Sequence, residues 1–317
     1  MQPIRLAASV YYTLPPIVWA LLAAISFGTL TNQQFRTPDN VMNILEQSAT
    51  LAFLAIGQAF VIAGGLIDLS VGQLVGLVTV IAAMSFEAFP GWGAAVIGGC
   101  LVFGAAIGLI NGELINRLKM PPLILTFGTL SVLQGCIFML TDRSVGTTIP
   151  AIDFLAHGRV LGIPASTLLV LIVAVVAFYA LQRSVFGWHL LAMGNNASSS
   201  RKAGLSIRGL TRAAYAISGL CAAIAALVLT GRLGTGFPNA GSGLELDAIV
   251  AVVLGGTPLK GGRVNVIAIV CAVLFLGTIN NLLNLYQVPA FTQILIKGVI
   301  VILAILSDRP RWATSAG

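Results

Sequence analysis

Long apolar runs fill most of the chain, and polar residues gather in the short gaps between them. A membrane-crossing helix needs ~20 predominantly apolar residues. The runs divide into roughly 12–30, 51–67, 69–86, 93–115, 122–141, 165–182, 211–231, 247–257, 264–284 and 291–307. This pattern predicts an all-α, polytopic membrane helix bundle with about ten transmembrane helices. The eighth run is short and leans on glycine-rich flanks, so it reads either as a span or as a broken, re-entrant element, and the count lies between eight and ten. The first run extends from about Leu6 to Leu30. That is longer than a signal-peptide core and carries no small-residue cleavage site, so it reads as the first membrane helix.

Composition agrees: 57% of the 317 residues are hydrophobic and only 9% charged, against roughly 25% charged in soluble domains. Mean hydropathy is +0.98. The chain is expected to form a single transmembrane domain over 1–317. The net charge of +7 reflects loop bias, because nucleic-acid binding would need a soluble basic surface with motif support. Cys100, Cys136, Cys221 and Cys271 lie in separate apolar segments, and His157 and His189 are isolated. Neither a disulfide framework nor a metal site is expected.

Charge also orients the bundle. With the N-terminus inside and ten alternating spans, one side holds Arg5, Arg117, Lys119, Arg183, Arg201, Lys202, Arg208, Arg212, Lys260, Arg263, Arg309 and Arg311. The other holds only Arg36, Arg143, Arg159 and Arg232, beside most of the acids. Lys/Arg enrichment marks cytoplasmic loops, so both termini are expected to be cytoplasmic. Two outer segments, 31–50 and 142–164, exceed simple turns. The first contains Asn40-Val-Met-Asn-Ile-Leu-Glu-Gln, which reads as an interfacial helix, and both are candidate docking surfaces. Gly104, Gly108 and Gly112 share one helical face. Such spacing lets helix backbones approach closely, either within one chain or between two.

Between Glu46 and Glu87 the only ionisable side chain is Asp68, in Val61-Ile-Ala-Gly-Gly-Leu-Ile-Asp-Leu-Ser-Val-Gly-Gln-Leu-Val. A single helix over that interval would reach ~60 Å, twice the hydrocarbon thickness. The run must therefore fold back, and Gly64-Gly65 and Asp68 sit near its middle. Ser70-Val-Gly-Gln73 has capping-box spacing, and an acid beside a helix start is favoured by the dipole. Asp68 and Ser70 thus read as a structural cap, or as gate residues on a water-filled route. Gly241-Ser-Gly-Leu-Glu-Leu-Asp-Ala-Ile-Val repeats the theme, placing Glu245 and Asp247 at what reads as an outer helix entrance, as caps or as contacts for substrate. Single polar residues within spans, Gln58, Asn111, Asn280 and Asn281, are further candidates for lining a path.

The longest inner segment, about 183–210, carries Arg183, Arg201, Lys202 and Arg208 and no acid. Asn195 or Asn196 is suited to N-cap a short helix ending near Ala203, with Gly204 as its stop. Such a helix between two spans suits docking by a soluble partner. The chain contains no G-x-x-x-x-G-K-[ST] phosphate loop and no catalytic constellation. Energy for active transport must come from an ion gradient or from another polypeptide.

Three stretches carry a resemblance: GGLIDLSVG at 64–72, FGWHLLAMGNNASSSRKAGLSI at 186–207 and GLELDAIVAVVLGGTPLKGGR at 243–263. Together they resemble the ribose-type, monosaccharide-transporting permease subunits of bacterial ABC importers, over nearly the whole chain. The resemblance implies a multi-pass inner-membrane protein that is not itself an enzyme. It also implies a cytoplasmic ABC ATPase partner that binds the ATP, a periplasmic sugar-binding protein, and a second permease subunit, like or unlike. No cofactor is implied for this chain. Residue by residue, Gly194, Asn195, Asn196, Arg201 and Gly204 match the family's ATPase-coupling segment. Asp68 and Ser70 match its D-L-S turn, and Glu245 and Asp247 its E-L-D step. The competing reading is a secondary transporter driven by an ion gradient, for which Asp68, Glu113 and Lys297 are the few ionisable groups placed to relay charge.

Overall fold

The structure, a computed structural model, describes residues 15–307. Arg5, Arg309 and Arg311 lie outside the described residues. The described chain is helical: α1 Pro16–Thr31, α2 Pro38–Ala63, α3 Val71–Ala88, α4 Gly93–Leu118, α5 Pro122–Leu140, α6 Pro150–His157, α7 Ala165–Gln182, α8 Val185–Asn195, α9 Ala197–Lys202, α10 Ile207–Leu233, α11 Leu244–Leu254, α12 Val266–Leu285 and α13 Ala290–Ser307. A two-residue hairpin pairs β1 Arg159–Val160 with β2 Ile163–Pro164. Among the described residues, seven helices are long and apolar enough to cross a membrane: α2, α3, α4, α5, α7, α10 and α12. α1 is apolar but shorter, and α11 has only 11 residues.

The expected interfacial helix at 40–47 is not a separate element. Thr37 caps α2 by accepting from the Asn40 N–H, Pro38 takes the first position, and the helix runs unbroken for 26 residues. Nothing between Asp39 and Ile56 is a glycine or a proline, so nothing stops it. At ~1.5 Å per residue it is longer than the ~30 Å hydrocarbon layer. Its first turns belong to the interface while remaining one helix with the span.

Three helices make the centre. In their most apolar stretches α2 is 78% buried, α3 72% and α10 67%, against 17% for α4 and α5 and 28% for α7. The outer helices present residues such as Val102, Phe127, Val132 and Val175 to their surroundings, where lipid takes the place of a protein neighbour. The glycine face of α4 packs within the chain. A β-carbon on Gly104 would stand 2.5 Å from the Gly219 carbonyl oxygen, on Gly108 2.0 Å from that of Tyr215, and on Gly112 2.9 Å from the Arg212 Cα.

The gaps between helices sort to two ends. At one end, Arg159 approaches Asp39 at 3.8 Å, Val145 bridges Gly236, and Met84, Glu87, Arg143 and Gly146 line a cleft of about 600 Å³. At the other, Asn116, Lys119, Arg201 and Arg208 line a cleft of about 500 Å³, and Glu113 pairs with Arg117 and Arg212. The segments that alternation assigns to opposite sides of a membrane thus lie at opposite ends of the bundle.

Candidate functional site

The reversal between α2 and α3 packs against α4, α5 and α10. Gly65 turns the chain with φ +75°, and Leu66 N–H returns to the Val61 carbonyl at 3.1 Å. Asp68, 1% exposed, accepts on Oδ1 from the Ser70 N–H at 3.0 Å and the Ser70 hydroxyl at 2.6 Å. Its Oδ2 accepts from the Ser218 hydroxyl of α10 at 3.0 Å. Asn111 of α4 donates to Ser70 Oγ at 3.0 Å, and Thr129 of α5 donates to Asn111 Oδ1 at 2.7 Å. Tyr215 of α10 donates to the Ile67 carbonyl at 2.7 Å. One continuous polar chain therefore ties the reversal to three helices.

The expected capping box does not form. Ser70 occupies the N-cap position of α3 without a side-chain cap bond, because its hydroxyl donates to Asp68 and accepts from Asn111. Gln73 turns away and reaches the Ser242 hydroxyl at 3.5 Å. Asn111, a candidate path residue, belongs to the same network. Ser218, Thr129 and Tyr215 were missed from sequence, since each is a single polar residue within an apolar run whose partner lies on another helix.

Glu245 and Asp247 open a short helix, α11, whose start lies against α3. The segment 234–243 runs back along α3: a β-carbon on Gly236 would meet the Thr79 carbonyl at 2.8 Å, and one on Gly241 the Gly72 carbonyl at 1.8 Å. α11 therefore begins beside the first turn of α3, with Glu245 half-buried and Leu246 exposed. Gly243, with φ +85°, turns the chain into it. Glu245 lies against Gly72, where a β-carbon would fall 1.8 Å from its Oε2. That oxygen is buried and has no hydrogen-bond partner. The eighth apolar run is accordingly a short helix behind a re-entrant strand of chain.

Asn281 forms a reciprocal amide pair with Asn40, with bonds of 3.0 and 2.8 Å that pin α12 to the start of α2. Its neighbour Asn280 keeps Oδ1 buried without a partner. Gln58 is fully buried and neither of its amide atoms is bonded. Among the candidate charge-relay groups, Asp68 accepts three hydrogen bonds from Ser70 and Ser218, and Glu113 is held by Arg117 and Arg212. The side chain of Lys297 lies outside the described residues.

In the polar segment, Ser184 caps α8 and Asn196 caps α9, accepting from the Ser199 N–H at 2.9 Å. Gly204 adopts φ +86° after α9 with open space around it. Arg201 faces the basic cleft. Gly194 and Asn195, in contrast, contact the bundle: Asn195 Nδ2 donates to the Gly262 carbonyl at 3.3 Å.

Set beside known proteins, the sequence matches the family described as branched-chain amino acid transport system / permease component over residues 40–305. The chain belongs to that family. This permease is 37% identical to the ribose import permease protein of Bacillus subtilis, covering 92% of each chain. It is 35% identical to the D-allose transport system permease protein of Escherichia coli, covering 92% of this chain and 90% of the relative. With the xylose transport system permease protein of Escherichia coli the identity is 29%. No solved structure matches this permease.

Proposed function

We propose that this permease carries a monosaccharide across the bacterial inner membrane as the membrane subunit of an ABC importer. The similarity to ribose and allose import permeases over 92% of the chain carries the reading. About ten helices cross the bilayer, with both termini and the end bearing α9 in the cytoplasm, where its excess of Arg and Lys places it. A separate ATPase subunit binds ATP and seats α9 through Asn196, Arg201 and Gly204. A periplasmic sugar-binding protein docks at the opposite end, near the 31–50 and 142–164 segments, and a second permease subunit completes the pore.

The polar network supports a division of labour along the path. Asp68 and Ser70 hold the reversal rigid, because both carboxylate oxygens accept from the protein and Ser70 Oγ both donates and accepts. Glu245, like Gln58 and Asn280, keeps an unpartnered buried polar atom and is the acid among them available to a sugar hydroxyl. An unpartnered buried oxygen is costly, and a ligand that donates to it during transport offsets that cost. Binding must remain weak, and the switch between inward- and outward-facing states needs contacts that differ between them.

The test is affinity purification in mild detergent from cells expressing the permease with its ATPase, followed by sugar uptake into proteoliposomes supplied with the binding protein. The expected result is a stable permease–ATPase complex and uptake that requires ATP. Uptake by the permease alone, abolished by an uncoupler, would overturn the reading in favour of an ion-driven carrier.

A further inference from the structure

Gly194 and Asn195 close α8 one residue before Asn196 caps α9, and their contacts run into the bundle. Three segments meet there main chain to main chain. A β-carbon on Gly194 would stand 2.2 Å from the Ala63 carbonyl oxygen and 2.6 Å from the Gly262 nitrogen. One on Gly261 would stand 2.5 Å from the Gly65 nitrogen, and one on Gly65 2.8 Å from the Lys260 carbonyl oxygen. The Gly262 N–H donates to the Ala63 carbonyl at 3.0 Å. Gly65, Gly261 and Gly262 all hold positive φ, at +75°, +80° and +81°, where other residues are strained. The stretches that carried the family resemblance thus touch one another at this point.

The absence of side chains between the three backbones has a mechanical meaning. A side chain absorbs a small displacement by changing rotamer, whereas backbones in direct contact transmit it to whatever they hold. Gly65 lies three residues before Asp68, whose network reaches α4, α5 and α10.

We propose that Gly194 and Asn195 are positioning residues that pass movement of α9 through Gly261-Gly262 and Gly65 to the Asp68 reversal, so that the partner's ATP cycle shifts the helices around the path. This inference rests on the ATPase-coupled reading above. It moves Gly194 and Asn195 from the docking surface to a transmission joint, leaving Asn196, Arg201 and Gly204 to meet the ATPase.

The experiment uses proteoliposomes containing the full permease and its ATPase, supplied with the binding protein. ATP hydrolysis and uptake are measured together for whichever of D-ribose, D-allose, D-xylose and L-arabinose the wild type accumulates. Asn195→Ala, at an exposed position, keeps the wild-type melting temperature and ATPase co-purification while sugar taken up per ATP falls at least fivefold. Gly262→Ala lowers that ratio further, and Ser131→Ala on the exposed side of α5 leaves it unchanged. A wild-type ratio in Asn195→Ala overturns the joint and leaves the importer reading standing. So does loss of ATPase co-purification in Asn195→Ala, which would return that residue to the docking surface. A wild type that accumulates none of the four sugars with ATP overturns the importer reading, and the joint with it.

Discussion

Asp68 and Glu245 stand in similar sequence and in opposite circumstances. Each follows glycines and lies at the start of a helix, and Gly72, near the first acid, packs on Gly241, near the second. Around Asp68 the protein has gathered donors from its own loop and from α10. At Glu245 it supplies none to Oε2. The difference teaches that an acid within the bundle has no fixed meaning. A carboxylate surrounded by its own donors is a fastening, and one left short of donors is open to something that arrives.

The comparison breaks most severely at Asp68→Leu. Stranding the three donor groups it serves costs about 1–3 kcal/mol each, so folded permease should disappear from detergent extracts; normal yield and melting would refute the fastening role. Glu245→Gln should leave melting nearly unchanged and lower uptake per folded protein by ~tenfold, roughly one hydrogen bond to substrate. Wild-type uptake kinetics in that variant would remove Glu245 from the path. Asp68→Asn keeps an acceptor for Ser70 and changes the bond to Ser218, so a loss of about 1–2 kcal/mol is expected, with unchanged sugar preference among the proteins that fold. Ser218→Ala, which removes one donor, should cost ~1 kcal/mol, read as a small fall in melting temperature. A double-mutant cycle between Ser218→Ala and Asp68→Asn sharpens the contrast, because contacting residues are non-additive.

The reversal at Asp68 was legible because the apolar run is too long for one crossing and contains one acid. The short helix at α9 was legible from Asn196 and Gly204, whose side-chain acceptor and positive φ are local properties. The capping box was misread because Ser70 has two competing acceptor and donor choices, and sequence does not reveal that Asp68 claims its hydroxyl. The helix at 40–47 was legible, but its continuity with the following span was not, because polar residues do not end a helix when nothing breaks the backbone. The partners of Asn40, Asn111 and Ser218 were hidden for a different reason. They depend on which helices become neighbours, and apolar spans of similar composition carry little information about that order. The contact of Glu245 with α3 was lost in the same way, since a glycine-rich segment reads equally as a free loop or as chain laid along a helix.

The close fit of Gly104, Gly108 and Gly112 onto α10 has a bearing on how the protein can evolve. Because the tightest seam on α4 is closed inside one polypeptide, any second copy must meet a different surface. Substitutions that change which subunits assemble can therefore accumulate without loosening the seam on which each subunit's own architecture depends.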